Sequence, residues 1–326
     1  MMITASALLR IDEERAVKAV AEYLHHLCAR HSARGVLAGL SGGVDSAVLV
    51  ALATRSLGES SVHAMYLYDW DSERGQGSNA GQVAHWLGIE LETESIEPGR
   101  REGGIYTSWG MRITRLSPFI NRFMYRLYHL MAGETPFVSS LRAGGGKVGD
   151  RRPRGSVLRF VNRYAEELFY ARHRYRREVL ESKARARNWL LLGGANRSEW
   201  EVGWFVKDGV DDLPYQPLIG LYKTQVRQLA RYLGVPGEIR QQAPSPDMMR
   251  GISDEYALGM SYSKIDIGLD YLAGGLSKGV VRAAGVTEEG LRRVREMKEL
   301  SRWKRRRISE PFPVDGGRSG GLRIGE

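Results

Sequence analysis

The sequence predicts an α/β protein built on a doubly wound parallel sheet, and three observations predict it. Short apolar runs alternate with amphipathic stretches through the first hundred residues, a glycine turn joins one such run to a helix, and the rhythm resumes near residue 189. Ile11, Ala16, Val17, Val20, Tyr23, Leu24 and Leu27 recur at helical spacing, so 12–31 reads as a helix. Residues 35–40 read as a buried strand and 47–52 as part of a helix packed on it, reaching about Ser56. Residues 62–68 and 89–96 are two further strands, with a helix over 76–87 between them. In such a sheet ligands bind at the carboxyl ends of the strands.

The alternation stops at about residue 98. Residues 99–155 read as a mainly helical, basic insertion: Tyr106, Trp109, Phe119, Phe123, Tyr125 and Tyr128 lie among arginines, and a glycine-rich basic loop follows over 143–155. A long helix is expected over 156–186, then a strand over 189–192. Val226, Leu229, Ala230 and Leu233 predict an amphipathic helix stopped by Gly234, and 286–307 a final basic helix. The organisation expected is therefore 1–98 as the first part of the α/β domain, 99–155 as insertion, 156–315 as its remainder with C-terminal helices, and 316–326 as a loose tail.

The 326 residues allow one large α/β domain with an appendage, and the 42% apolar content supports a sizeable core. No apolar run approaches a membrane span of about 20 residues, and residues 1–10 lack the pattern of a signal peptide. A single cysteine, Cys28, excludes an internal disulfide and a Cys-x-x-Cys metal or redox site; it reads as a buried structural thiol, and the chain reads as cytosolic. The net charge of +10 is concentrated: residues 100–190 hold 20 Lys and Arg against 7 Asp and Glu. That field suits a polyanionic partner such as a dinucleotide, another phosphorylated substrate or RNA, and it equally suits a solvated helical face.

The most informative stretch is Gly39-Leu40-Ser41-Gly42-Gly43-Val44-Asp45-Ser46. Strand, glycine turn and helix form an anion-binding arrangement: the glycines let successive N–H groups point one way, and the helix N-terminus adds partial positive charge. Ser41 and Ser46 add hydroxyls, and Asp45 is suited to hold a magnesium ion against phosphates. The spacing and the lysine of a Walker A loop are absent. A nucleotide triphosphate is the expected ligand.

Ser-Gly-Gly-x-Asp-Ser resembles the pyrophosphate loop of enzymes that split ATP between its α and β phosphates. Further blocks extend the likeness: Gly193-Gly194-Ala195-Asn196-Arg197-Ser198-Glu199, Phe205-Val206-Lys207, Leu221-Tyr222-Lys223-Thr224-Gln225-Val226-Arg227, Ala243-Pro244-Ser245-Pro246-Asp247, and Asp254-Glu255 followed by Leu258-Gly259 and Tyr262. Together they are similar to the ammonia-dependent NAD synthetases, from the first helix to Lys304 and interrupted over about 100–155. The resemblance implies a sheet of the adenine-nucleotide alpha-hydrolase type, ATP and Mg2+, with Asp45 and Glu199 as metal ligands. It implies ATP contacts from the loop 39–46, Gly194, Lys223 and Ser245, with Lys223 on the phosphates. Arg172, in Ala171-Arg172-His173-Arg174, would hold the acid substrate, and Lys207 and Lys304 would contact the dinucleotide side. Homodimerisation is a further implication.

Departures from the family pattern fall mostly in the acceptor half. Pro214 stands where an aspartate contacts the dinucleotide, with Asp211 and Asp212 as alternative acceptors nearby. Trp303 replaces a histidine beside Lys304, and Gly194 replaces a threonine that contacts ATP. By resemblance, a substrate carboxylate is adenylated with release of pyrophosphate, and ammonia then displaces AMP. Deamido-NAD is the default acid, and a different carboxylic acid is the alternative. No glutaminase domain is evident, so nitrogen is expected as free ammonia or from a separate donor. An RNA-modifying enzyme using the same loop is disfavoured by the single cysteine. A non-catalytic nucleotide binder is disfavoured by the intact Asp45 and Glu199. Neither a membrane nor a nucleic acid is an expected partner.

Overall fold

A computed structural model describes residues 4–69, 72, 75–97, 117–144, 153–245 and 251–305, those of 153–169 by their backbone alone. Tyr106, Trp109, the loop 145–152, Pro246-Asp247 and the tail 316–326 lie outside the described residues. In chain order the helices are α1 Ala5–Leu8, α2 Glu13–Arg30, α3 Val44–Leu57, α4 Gln76–Leu87, α5 Pro118–Ala132, α6 Pro136–Gly144 and α7 Pro153–Arg187. They continue as α8 Arg197–Val202, α9 Lys223–Tyr232, α10 Gly237–Gln241, α11 Asp254–Leu258, α12 Tyr262–Leu272, α13 Lys278–Ala283 and α14 Glu288–Leu300. The strands are β1 Gly35–Gly39, β2 Val62–Tyr68, β3 Leu91–Ser95 and β4 Trp189–Leu192.

All pairings are parallel and the order is β3-β2-β1-β4. The chain winds outward from β1 through β2 to β3, then returns to the other side of β1 as β4. The direction of winding therefore reverses between β1 and β4, and a crevice opens at their carboxyl ends. An isolated parallel bridge places Tyr215 beside Leu192 and continues the sheet past β4.

Strand alternation explains the layering. Val36 and Ala38 of β1, Ala64 of β2, and Leu190 and Leu192 of β4 face a core shared with α2, α3, α4 and α9. Leu37, Met65, Leu67 and Leu191 face the opposite side, where Leu180 and Ala184 of α7 cover them. A parallel sheet buried on both faces reads as continuous apolar runs, which is why these strands were visible in the sequence. Each fully buried Leu or Val here contributes about 1.5–3 kcal/mol of transfer free energy.

A second cluster joins α1, α6, α12 and α14: Leu9, Phe137, Val138, Leu141, Leu258, Tyr262, Ile265, Leu291 and Val294 are all buried within it. The insertion thus contributes α6 to a core. The long helix runs from Pro153 to Arg187, and the last helix ends at Leu300, so Trp303 and Lys304 sit in the turn beyond it.

Candidate active site

The turn after β1 is built by glycine and two hydroxyls. Gly42 has φ +83°, and a Cβ there would lie 2.5 Å from the Gln76 carbonyl oxygen, so only glycine fits. Gly43 caps α3 without a side-chain bond, leaving the first-turn N–H groups of the helix to a ligand. The Ser46 hydroxyl donates to the Gly43 carbonyl (3.0 Å) and accepts from the Ser41 N–H (3.2 Å), while the Ser41 and Ser46 hydroxyls lie 3.1 Å apart. Leu40 anchors the start of the turn through its N–H to the Met65 carbonyl (2.9 Å). Val44 is buried on the core side of α3, and Gly39 packs against Leu180.

Opposite this turn, β4 delivers Gly193 and Gly194 into α8. A Cβ on Gly193 would fall 2.4 Å from Gln216 Oε1, whereas one on Gly194 would meet only Leu49, at 3.9 Å. Asn196 caps α8 in a full capping box with Glu199. Its side-chain amide also donates to Asp45 Oδ1 (2.9 Å) and its backbone N–H to Glu199 Oε2 (3.4 Å), so one residue holds two carboxylates from opposite sides of the crevice.

Asp45 and Glu199 converge on Lys223. Its Nζ lies 2.5 Å from Asp45 Oδ2 and 2.9 Å from Glu199 Oε1, and the lysine side chain is 3% exposed. Burial opposes the ammonium charge, but Asp45, Glu199 and Asp254 overcome it, and the lysine pKa lies above its ordinary value. Desolvation pushes the Glu199 carboxyl up to about 8; Lys223 counteracts this, and the negative charges of Asp45 and Asp254 add to it. The Tyr262 hydroxyl lies 3.0 Å from Asp254 Oδ2 and 3.3 Å from Glu199 Oε1, so its single proton bridges two acids. At the start of α9, buried Asp266 accepts from the Thr224 N–H (2.8 Å) and the Ser198 hydroxyl (2.5 Å), and Ser198 accepts from the Lys223 N–H (2.8 Å).

This convergence tests the fit of a divalent cation. Two carboxylate oxygens already meet within 3 Å of a common positive centre, and they are the hard oxygen donors magnesium requires. Among the described residues no group of three or more His, Cys, Asp or Glu is arranged for a metal. Magnesium commonly takes one or two carboxylates and completes its shell with water and phosphate oxygens. Asp45 and Glu199 fit that donor set, provided Lys223 moves aside.

The residues that the resemblance assigns to the acceptor side lie outside this cluster. Lys207 Nζ donates to the Trp303 carbonyl (3.4 Å), and the Trp303 indole N–H donates to the Leu141 carbonyl (2.9 Å). Lys304, 3% exposed, donates to the carbonyls of Gly203 (2.9 Å) and Phe205 (2.7 Å), a structural post beneath the end of α8. Arg172 is 1% exposed and donates to both oxygens of Asp69 at 3.0 Å, with Arg176 3.7 Å from the same carboxylate. In this conformation Arg172 and Lys304 are committed to partners within the fold.

Pro214 is exposed at the end of the loop 207–214. Asp212 uses its carboxylate within that loop, accepting the Asp208 N–H at 2.8 Å where Asp208 has φ +62°. Asp211 lies 3.8 Å from His173, and its carboxyl is pushed up to about 6, first by desolvation and next by the charge of Asp45; its side chain is 38% accessible, so solvent tempers that shift. Ser245 is half-buried, beside Pro244, whose carbonyl accepts the Asp254 N–H at 3.0 Å.

The structure therefore brings together the 39–46 turn, Gly194, Glu199 and Lys223, and it gathers Lys207, Trp303 and Lys304 separately. Sequence reasoning gave no role to Asn196, Asp254, Tyr262, Asp69, Gln216 or Asp266. Only Asn196 carried a local signal, the Asn-x-x-Glu spacing of a capping box.

Fold and site together define an α/β protein on a parallel sheet, with a glycine turn facing two carboxylates and a lysine. The chain belongs to the NAD synthase family, whose sequence model matches residues 16–103 and 161–308. It is 33% identical over 235 residues to the NH(3)-dependent NAD(+) synthetase of Thermotoga maritima, covering 72% of this chain and 78% of that one. To the protein of the same description from Hyperthermus butylicus it is 30% identical over 317 residues, 96% of each chain. Among solved structures it is similar to an NMN synthetase from Francisella tularensis (TM-score 0.65, 24% identity, 92% of this chain and 98% of that one). It is also similar to an NH3-dependent NAD synthetase from Campylobacter jejuni in complex with the nitrate ion (TM-score 0.59, 19% identity, 94% and 100%). At these identities the two structures establish the shared fold.

Proposed function

We propose that this chain is an ATP-dependent amide ligase that converts deamido-NAD to NAD with ammonia. The observation that carries the reading is the meeting of Asp45, Glu199 and Lys223 beside the glycine turn, in a chain of the NAD synthase family. The nicotinate carboxylate attacks the α-phosphorus of ATP, a new C–O–P linkage forms, and the bond to the β-phosphate breaks to release pyrophosphate. Ammonia then attacks the acyl carbon, and AMP leaves with the oxygen, giving the amide after loss of a proton.

Both steps need negative charge neutralised more than they need a side-chain nucleophile. The N–H groups of the turn and of the first turn of α3 receive the departing phosphates, with Ser41 and Ser46 shaping the turn. Lys223 balances charge on them once released from its two carboxylates. Asp45 and Glu199 would hold magnesium, which supplies charge neutralisation on the phosphate oxygens. Asn196 keeps the two carboxylates in register. Ser245 and Gly194 lie on the ATP side. Lys207, Trp303 and the loop bearing Asp211 and Pro214 lie on the acceptor side, and Arg172 reaches the acid only by exchanging Asp69 for the substrate carboxylate.

Ammonia is taken free or from a separate donor, the active form is a homodimer, and the enzyme works in the reducing cytosol that its single cysteine suits. Among the described residues no helix is long and apolar enough to cross a membrane. The test is pyrophosphate release from Mg-ATP and ammonium, with and without deamido-NAD, following AMP and NAD together. NAD formed in step with pyrophosphate supports the reading. ATP binding with no dependence on deamido-NAD would overturn the acceptor assignment, and other carboxylates would then be screened in the same assay.

A further inference from the structure

The family match skips residues 104–160, and two described helices of that stretch, α5 and α6, press against the wall of the site. α5 turns polar groups toward the protein. Arg122 Nε donates to the Gly251 carbonyl at 2.7 Å, and the Tyr125 hydroxyl donates to the Ala257 carbonyl at 2.7 Å. The Tyr125 and Tyr256 ring centroids are 5.3 Å apart, and Gly251, at φ +81°, sits so close to Pro118 that a Cβ would fall 2.6 Å from its Cβ. α6 buries Phe137, Val138 and Leu141 in the cluster that contains Leu258 and Tyr262.

The span gripped in this way, 251–258, is the one that carries Asp254. Its backbone N–H is bonded to Pro244, next to Ser245; its carboxylate meets the Tyr262 hydroxyl, which also reaches Glu199. Glu255 Oε1 accepts the Tyr262 N–H at 3.0 Å, a second tie from the same span to the same tyrosine. A continuous set of contacts thus runs from α5 through α11 to the carboxylate that faces Lys223.

We propose that the α5–α6 hairpin is a positioning element of the nucleotide site, in which Arg122 and Tyr125 hold 251–258 so that Asp254 and Tyr262 fix Glu199. The proposal rests on the ATP half of the function proposed above and is independent of which acid is amidated. Neither Arg122 nor Tyr125 touches the reacting groups; each acts through the span it holds.

The test compares Y125F, R122M and F123S. Phe123 is 58% exposed on the other side of α5, so F123S is the control for general damage to the helix. Three quantities are read: affinity for Mg-ATP by calorimetry, amide hydrogen exchange over 251–262, and thermal midpoint. Loss of the tie to the span, a part-buried hydrogen bond in Y125F and an exposed one in R122M, is expected to weaken Mg-ATP about fivefold in Y125F and about twofold in R122M, with faster exchange at 251–258. F123S should match wild type in both. Unchanged ATP affinity in both variants overturns the proposal whatever happens to exchange, and a lowered thermal midpoint with intact affinity assigns the hairpin a merely structural part. Wild-type protein that binds no Mg-ATP would overturn the nucleotide reading itself, and the control without any substitution reports that separately.

Discussion

Lys223 lies where a cation is most favoured, between Asp45 and Glu199, and its removal tests the charge balance of the site directly. K223M leaves two nearly buried carboxylates facing each other, which should lower stability by about 3 kcal/mol in the metal-free protein. Millimolar Mg2+ alone should recover much of that loss in the variant and shift the wild-type midpoint little, because wild type already has a cation there. Thermal melts with EDTA and with Mg2+ decide it, and turnover should fall by about 10²–10³. A second residue-scale prediction concerns pH. Burial pushes the Asp266 carboxyl, ordinarily near 3.8, up to about 6, against the hydrogen bonds from Ser198 and Thr224. A raised carboxyl favours the protonated folded state, so its contribution is fully present below pH 3.8 and is lost as pH rises through about 6. D266N removes that dependence: its deficit against wild type should be larger at pH 4 than at pH 7, by about 2 kcal/mol, in denaturant melts at the two pH values. Equal deficits at both would show that Asp266 is ionised in the fold. The site residues legible in the sequence were those carried by contiguous motifs, the 39–46 turn and the blocks that hold Glu199 and Lys223. Arg172 and Lys304 were visible as charges, but their partners were not: Asp69 lies 103 positions away, and the carbonyls that hold Lys304 lie about 100 away.

At the level of elements, β1, β2 and β4 were read almost to the residue because burial on both faces leaves a largely apolar run. The third strand is shorter than 89–96, spanning Leu91–Ser95, since Ile89 turns into the core before pairing begins. α10, α11 and α13 span five or six residues, too few to display a helical period, and were not foreseen. α6 was expected only as part of the basic insertion, and its place in a core follows from three apolar side chains that meet helices far along the chain. Loops are joined by single side chains that no pattern announces. Gln216, fully buried, accepts the Ala195 N–H at 3.1 Å and donates to the Asp211 carbonyl at 2.7 Å, tying the turn after β4 to the loop 207–214. Q216A strands a buried amide and frees the loop. It should cost about 2 kcal/mol in a denaturant melt and raise KM for the acid more than KM for ATP. An effect confined to ATP would mean that the 207–214 loop serves the nucleotide side instead.

Two cores meet at the crevice of the whole molecule. The sheet core supplies the glycine turn and Asp45, the helical core supplies Tyr262, and Lys223 at the head of α9 stands between them. The basic composition of 100–190 made that stretch look like a surface appendage for a polyanion, yet part of it is interior. Phe137, Val138 and Leu141 are each at most 9% exposed, and Trp303 hangs from the Leu141 carbonyl with its indole against Gly144. Burying three such side chains contributes roughly 5–9 kcal/mol, a large share of a net stability that is on the order of 5–15 kcal/mol for a domain. Replacing 117–144 with a short Gly-Ser linker should therefore open the helical core rather than trim a loop. Calorimetry should show the loss of a cooperative transition, or a midpoint lowered by well over ten degrees on the order-of-magnitude relation between stability and midpoint. A linker variant that melts like wild type would mean that α6 merely rests on a core closed without it, and the packing account of the insertion would then be wrong.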